Sequence, residues 1–315
     1  MWSASALLIV RFSLVRMRRD LFQAMNKILI IEDMRSMANV LSSMIKLQWQ
    51  YDCDCVATYK EAESLLAENA QQYFVAIVDL HLPDAPNGEA IELVMGANIP
   101  VLCFTAQFSE ALREDIWAKG VADYTLKQAQ GVEYVVYMVE RLRRNRNTKV
   151  LIVDDSRVSR NSIANTLRQQ CFQTFVAESG ETALDLIEQH PDIKIVLIDT
   201  YMEPMDGFAV TRKIREKFSR DRMGIVGMSS QGNSILSAKF IKYGANDFIV
   251  KPFLQEEFFC RINQMADYLE RVQQLTDINQ QKNKIMGMAA HDLRGPLSGI
   301  ISASQMLDRA VAKPE

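Results

Sequence analysis

The chain has 315 residues, 48% of them hydrophobic and 24% charged, which is too long for one ordinary domain and too apolar for a disordered protein. Its net charge of -3 argues against both a nucleic-acid-binding surface and an acidic tail. Five scattered cysteines without a complete zinc motif are typical of reduced thiols, so we expect a cytoplasmic protein.

The first segment, residues 1–25, precedes the first recognisable domain. Its apolar run from Ala4 to Val15 is shorter than the roughly 20 residues of a membrane-spanning helix, so we expect no membrane span. The arginines follow this run, whereas the charge of a signal peptide comes first. Two interpretations are left: Met25 is the natural start, or the segment is a short amphipathic helix on a membrane or a partner.

A domain-sized internal repeat divides the rest of the chain. The stretch at Lys27 reads KILIIEDMRSMANVL, and it recurs at Lys149 as KVLIVDDSRVSRNSI. The stretch at Phe74 reads FVAIVDLHLPDAPNGEAIELV, and it recurs at Ile193 as IKIVLIDTYMEPMDGFAVTRKI. A period of about 120 residues is too long for a solenoid and predicts a duplicated domain.

Each copy alternates short apolar runs with segments of helical periodicity. The runs ILII, VAIV and VLCF of the first copy, like VLIV, IVLI and IVGM of the second, are typical of parallel strands buried on both faces. We therefore predict two doubly wound α/β domains, at residues 26–145 and 148–270. Ligands of this fold class bind at the carboxyl ends of the strands.

Five polar residues in each copy lie at these strand ends. In the first copy they are Glu32, Asp33, Asp79, Thr105 and Lys127, and in the second they are Asp154, Asp155, Asp199, Ser229 and Lys251. Three converging carboxylates repel one another unless a cation neutralises them, and an oxygen-only ligand set favours Mg²⁺. A carboxylate beside Mg²⁺ can attack phosphorus, while the lysine balances the phosphoryl charge and the hydroxyl donates a hydrogen bond.

These residues resemble those of the response-regulator receiver family over both predicted domains. The resemblance implies a five-stranded parallel sheet with five helices in each domain. It also implies that Asp79 and Asp199 accept a phosphoryl group from a phosphohistidine, on either a histidine kinase or a phosphotransfer protein.

The same resemblance implies roles for the neighbouring residues. Asp33 and Asp155 would bind Mg²⁺ directly, and Glu32 and Asp154 would bind it through water. The main-chain carbonyls of His81 and Tyr201 would be the remaining Mg²⁺ ligands. The side chains of Tyr124 and Phe248 would be the switch aromatics, which rearrange together with the hydroxyls.

The two copies differ around the predicted acceptors. The first has one more residue between Asp79 and its glycine than the second has after Asp199, and Lys127 is not followed by proline. We therefore expect Asp199 to be the main signalling switch. We expect Asp79 to have a weaker output or a different reader.

The C-terminal segment, residues 271–315, continues a helical pattern that begins inside the second copy. Apolar and polar residues recur with a seven-residue spacing at Met265, Val272, Asn279, Met286 and Leu293. Such a stripe with polar interruptions predicts a two-helix coiled coil and hence a homodimer.

The motif HDLRGPL within this segment resembles the phosphoacceptor box of histidine-kinase dimerisation domains. The resemblance implies that His291 is a phosphoacceptor, that Asp292 is the neighbouring general base, and that Pro296 kinks the helix. No nucleotide-binding motif follows, so we expect the front part of a hybrid histidine kinase, unable to use ATP by itself.

Two functions are consistent with these features. The first is a phosphorelay protein whose tandem receivers regulate a histidine-kinase dimer through the C-terminal helix. The alternative is a stand-alone double-receiver adaptor or phosphate sink without kinase activity. The basic run RLRRNRNTK between the copies is typical of a solvated linker, so we expect no nucleic-acid partner.

Overall fold

Two α/β units and a long helix make up the protein. The structure, a computed structural model, describes residues 27–107, 109–230, 232 and 234–311. The predicted N-terminal segment lies outside the described residues. Each unit contains a five-stranded parallel sheet with helices on both faces, as the sequence predicts.

The first unit has strand order β2-β1-β3-β4-β5. Its strands are β1 (Lys27–Ile31), β2 (Asp52–Val56), β3 (Tyr73–Val78), β4 (Val101–Thr105) and β5 (Asp123–Leu126). Its helices are α1 (Arg35–Trp49), α2 (Tyr59–Asn69), α3 (Glu89–Gly96), α4 (Glu110–Ala118) and α5 (Ala129–Asn145).

The second unit repeats this order as β7-β6-β8-β9-β10. Its strands are β6 (Lys149–Val153), β7 (Gln173–Ala177), β8 (Ile193–Asp199), β9 (Gly224–Ser229) and β10 (Asp247–Val250). Its helices are α6 (Arg157–Gln169), α7 (Gly180–Gln189), α8 (Gly207–Lys217), α9 (Ser234–Lys242) and the long α10 (Gln255–Val311).

The central strands are buried because helices cover both faces of each sheet. Every residue of β3 and β4 is buried, and the two faces of the first sheet contribute to two separate apolar clusters. Side-chain hydroxyls or carboxylates begin several helices by accepting a backbone N–H, as Ser109 does for α4 and Asp206 does for α8. Because all paired strands of each sheet are parallel, their carboxyl ends lie at one edge of that sheet.

Helix α10 first packs on the second sheet and then leaves it. Phe258, Ile262 and Leu269 are buried in the core of the second unit, whereas Leu275 and Ile285 are more than half exposed. The helix continues through Pro296, where the sequence predicts a kink. Among the described helices, none is long and apolar enough to cross a membrane.

The two units are joined by a buried polar network. Asn145 at the end of α5 donates to the Gln170 main-chain oxygen at 3.0 Å and to Asn263 Oδ1 at 3.3 Å. Asn263 Nδ2 donates to Gln170 Oε1 at 2.7 Å, and Gln170 Nε2 donates to the Ala122 main-chain oxygen at 3.0 Å. Because buried amides cost free energy unless they are paired, this network fixes one relative arrangement of the units.

An ion-pair cluster continues the interface along α10. The fully buried guanidinium of Arg141 on α5 binds Asp267 at 2.6 Å and Glu270 at 2.5 Å. Tyr137, one turn earlier on α5, donates its hydroxyl to Asp267 at 2.7 Å. The first unit therefore holds the part of α10 from which the exposed helix emerges.

Arg141→Ala should lower the free energy of unfolding by about 3 kcal/mol, because it leaves two partly buried carboxylates without their main cation. Arg143→Ala is the matched control, since that guanidinium is 36% exposed and pairs within its own helix. The control should cost less than about 1 kcal/mol. Urea denaturation followed by circular dichroism measures both, and equal losses would contradict this account of the interface.

Candidate functional site

In the first unit, the predicted site residues meet at the carboxyl edge of the sheet. Glu32 follows β1, Asp79 follows β3, Thr105 ends β4 and Lys127 follows β5. Asp79 donates its backbone N–H to the Ile31 main-chain oxygen at 2.9 Å, so the parallel ladder sets its position beside β1.

Lys127 is the cation of this first site. Its Nζ lies 2.7 Å from Glu32 Oε1 and 2.6 Å from Asp79 Oδ2. Burial alone would lower the pKa of Lys127, but the two carboxylates outweigh it and raise the pKa above its usual value. Burial raises the pKa of Glu32, and Lys127 only partly offsets this effect. The site is therefore a nearly buried group of opposite charges with an excess of carboxylate.

The acceptor loop of the first unit shows what the additional residue does. Leu82 and Ala85 form an isolated antiparallel bridge, and Gly88 adopts a left-handed φ of 81° just before α3. Asp84 in the same loop accepts backbone N–H groups from Tyr59 and Lys60 at the start of α2. The insertion thus makes a tethered turn and leaves the Asp79 carboxylate in place.

The second unit brings the corresponding residues together. Lys251 Nζ lies 2.6 Å from both Asp154 Oδ2 and Asp199 Oδ1. Asp154 is buried, Asp199 is half-buried and Ser229 at the end of β9 is fully buried. Two carboxylates thus share one lysine at the same edge of each sheet.

Ser159 is a component of the second site that the sequence analysis missed. Its hydroxyl donates to Asp154 Oδ2 at 2.6 Å and lies 3.2 Å from Lys251 Nζ. The equivalent residue of the first copy is Met37, which packs in the apolar core. Comparing the two aligned copies for a hydroxyl in place of an apolar residue could have identified it.

The arrangement of the acidic groups differs between the sites. Ligand oxygens of Glu32, Asp33 and Asp79 all lie within 4.8 Å of one another, and Asp33 is exposed. Within the described chain, the equivalent trio of the second site does not form such a compact group. The oxygens of Asp154 are instead occupied by Ser159, Lys251 and the Ser156 N–H. The first trio, with oxygen ligands only, fits a hard divalent cation.

Of the remaining predicted residues, the two switch aromatics lie on the edge strands and two loop residues bond to the central aspartates. Tyr124 on β5 is half-buried, whereas Phe248 on β10 is buried against Phe240, with ring centroids 5.7 Å apart. The backbone N–H groups of His81 and Tyr201 donate to the two central aspartates, at 3.2 and 3.0 Å.

His291 is exposed on α10, far along the chain from both sheets, and the side chain of Asp292 lies outside the described residues. Both residues belong to the long helix α10. Their assignment stays a prediction from the motif alone.

Comparison with known proteins gives the family of the second unit directly. The family described as response regulator receiver domain matches residues 150–263. The two-component response regulator ORR11 of Oryza sativa is 35% identical over 103 residues, which are 33% of this chain and 70% of that protein. The chemotaxis protein CheY homolog of Campylobacter jejuni is 34% identical over 106 residues, 33% of this chain and 82% of that protein.

A solved structure resembles a larger part of the chain. It is the crystal structure of a putative two-component system response regulator/GGDEF domain protein, with a TM-score of 0.72 and 39% sequence identity. The similarity covers 78% of this chain and 99% of the other. A likeness of this extent reaches into both α/β units.

Ser159→Ala should destabilise the protein by about 1 kcal/mol, because the buried Asp154 carboxylate loses a charge-assisted hydrogen bond but keeps Lys251. Ser162→Ala, at an exposed position on the same helix, is the control for the higher helix propensity of alanine. Urea denaturation compares the two variants. If Ser159→Ala is as stable as the control, the hydroxyl does not hold the carboxylate.

Proposed function

The chain belongs to the response-regulator receiver family, and from this premise we propose that both α/β units are receivers that accept phosphoryl groups from a phosphohistidine. The donor would be a histidine kinase or a phosphotransfer protein. The observation that carries the proposal is the lysine ammonium shared by two carboxylates at the same sheet edge of each unit.

Asp79 and Asp199 are the proposed acceptors. A carboxylate oxygen attacks phosphorus, a new O–P bond forms, and the N–P bond of the donor breaks with its electron pair returning to the imidazole. Lys127 and Lys251 lie 2.6 Å from these carboxylates, so each ammonium is placed to balance the charge on a transferred phosphoryl group.

The acidic residues would hold the Mg²⁺ that supports this transfer. In the first unit they are Glu32, Asp33 and Asp79, joined by the main-chain carbonyl of His81. In the second they are Asp154, Asp155 and Asp199, joined by that of Tyr201. Bound there, Mg²⁺ would supply positive charge beside the phosphoryl oxygens. The compact trio of the first site supports this assignment.

Thr105 and Ser229 would report phosphorylation. Each of these residues ends the strand beside the strand of its acceptor. Its hydroxyl would donate a hydrogen bond to a phosphoryl oxygen. Tyr124 and Phe248 lie on the following edge strands and would move with these hydroxyls. Phosphorylation would then act as a local charge change that biases a two-state element.

The output of the second receiver would be the long helix that leaves it. We propose that α10 pairs with the same helix of a second copy, and that His291 receives a phosphoryl group within a histidine-kinase dimer. Exposed apolar residues along α10, among them Leu275, Ile278 and Ile285, support a paired helix. The exposure of His291 is consistent with an acceptor that must meet a donor.

A non-kinase output is the alternative. The similar solved protein is described as a putative two-component system response regulator/GGDEF domain protein, a description that names no kinase. An adaptor with two receivers and a dimerising helix would keep the aspartate chemistry and lack phosphorylation at His291. Labelling of His291 by a kinase that carries an ATP-binding domain would decide between the two.

Incubation with acetyl phosphate and Mg²⁺ should add two phosphoryl groups to the wild-type chain, counted by intact-mass spectrometry. Asp79→Asn and Asp199→Asn should each reduce the count to one, and the double variant to zero, because the amide cannot form an acyl phosphate. Asp84→Asn, in the acceptor loop and bonded to α2, is the matched control that should keep both groups. Labelling of the double variant would contradict the proposed acceptors.

The wild-type chain should form a dimer that dissociates on dilution, because the exposed stripe of α10 would be buried by a second helix. Ile278→Lys with Ile285→Lys should give a monomer, and Gln280→Lys, at an exposed position on the opposite face of the same helix, should stay dimeric. Sedimentation velocity at several concentrations measures this. A monomeric wild-type chain at every concentration would rule out the paired helix.

A further inference from the structure

The first turn of α10 carries a carboxylate that contacts the first unit. Glu256 Oε1 accepts from Arg113 Nε at 2.5 Å and from Trp117 Nε1 at 2.7 Å, and Glu256 Oε2 accepts from Arg113 Nη2 at 3.0 Å. The hydroxyl of Tyr124 lies 3.4 Å from Glu256 Oε1. One residue of the second unit is thus a common partner of three residues on α4 and β5.

The contact of Glu256 with Arg113 and Trp117 is electrostatically strong. Glu256 is half-buried, and burial alone would raise its pKa. The Arg113 guanidinium and the Trp117 N–H outweigh burial and lower the pKa of Glu256 to about 2. The carboxylate is therefore charged at any physiological pH, and its bidentate bond to Arg113 fixes its orientation.

Tyr124 is held on two sides by this cluster. Its ring packs edge-on against Trp117, with centroids 5.6 Å apart, and Trp117 in turn contacts Phe259 of α10 at 5.6 Å. A cleft of about 570 Å³ lies beside Tyr124 and Glu256, so the tyrosine ring has space to change position. Tyr124 is also three residues before Lys127, which binds the Asp79 carboxylate.

The corresponding residue of the second unit, Phe248, cannot form such a hydrogen bond. Phe248 lacks a hydroxyl and is 7% exposed, packed in the apolar cluster with Phe240 and Met202. Its strand neighbour Asp247 is bonded to Arg261 of the same unit. Among the residues that the structure describes, the hydrogen bond between an edge-strand aromatic and the other unit is therefore found in the Asp79 half.

We propose that Glu256 is a positioning residue of the Asp79 site: it holds the Tyr124 hydroxyl at the contact between the two units, and so couples phosphorylation of Asp79 to the base of the long helix. The inference rests on the proposed function of Asp79 and Tyr124. When Thr105 and Tyr124 move toward a phosphoryl group on Asp79, the tyrosine gives up its contact with Glu256. The contact with Glu256 thus favours the unphosphorylated form.

Thermodynamic linkage gives the consequence for α10. If the Glu256 contact opposes loading of Asp79, then loading of Asp79 must weaken the Glu256 contact by the same factor. The first unit would then hold the start of α10 less tightly, through Arg113 and Trp117 but without Tyr124. Both units would act on the same segment, Asp199 from within its own domain and Asp79 through the interface.

The coupling between Glu256 and Asp79 is tested with beryllofluoride, a mimic of the phosphoryl group. The full chain carries Asp199→Ala, and Mg²⁺ is present. Trp2→Phe and Trp49→Phe leave Trp117 as the single reporter, and its emission should change as the mimic binds. Glu256→Ala should tighten the apparent affinity roughly fivefold, and Glu256→Gln, which keeps an acceptor, should tighten it less. Acetyl-phosphate loading, counted by mass without the tryptophan changes, should shift in the same order.

Two matched variants separate positioning from interface stability. Glu257→Gln removes the adjacent carboxylate, which pairs only with Arg261 of its own helix among the described ion pairs. Glu270→Gln weakens the same interface at Arg141, away from Tyr124. Both should bind the mimic with wild-type affinity, and an equal shift in Glu270→Gln would overturn the inference.

The outcomes also distinguish a failure of Glu256 as a positioning residue from a failure of Asp79 as an acceptor. If wild-type Asp79 takes up neither beryllofluoride nor acetyl phosphate, the proposed acceptor is wrong and the coupling falls with it. If wild type and Glu256→Ala take up both with the same affinity, Asp79 is an acceptor but Glu256 does not position its switch. Asp79→Ala must abolish the emission change, because otherwise Trp117 reports a different site.

Discussion

The pairing of one lysine with two carboxylates at the end of each sheet is the interaction on which both sites depend. Buried carboxylates repel one another, and only a cation placed between them makes their approach favourable. The strand order supplies that placement, because β1 and β3 are central neighbours and the edge strand β5 delivers Lys127 across β4. The same order in the second unit delivers Lys251 to Asp154 and Asp199.

The sequence was sufficient to predict these sites, because in this fold the site residues directly follow their strands in the chain. Once the buried runs are identified as parallel strands, every residue that follows a strand lies at one edge, and the repeat shows which of them recur. That reasoning placed Glu32, Asp79 and Lys127 together, and their distances agree with it. It also gave both sheets and the continuous terminal helix, since periodicity reports burial directly.

Contacts between the units were beyond such reasoning. Glu256 and Arg113 are separated by more than a hundred residues, and no periodicity within either copy relates them. The Asn145–Asn263 contact is similar, because a buried amide pair looks like two ordinary polar residues until the helices carrying them are docked. Ser159 was missed for a smaller reason: one hydroxyl in a helix is unremarkable until its distance to Asp154 is known.

These contacts change which of the two sites, Asp79 or Asp199, we expect to have the stronger effect on the rest of the protein. Sequence regularity alone favoured Asp199, because its loop and its Lys251-Pro252 pair are closer to the family pattern. The described structure gives Asp79 the more compact carboxylate trio and gives its edge-strand aromatic, Tyr124, a bonded partner in the other unit. In the proposed function, a regular loop indicates that a site keeps its chemistry, whereas a contact with α10 would carry the effect of that chemistry to the long helix. In the proposed function Asp79 is therefore as well placed as Asp199 to act on α10, because Tyr124 contacts Glu256 in the first turn of that helix.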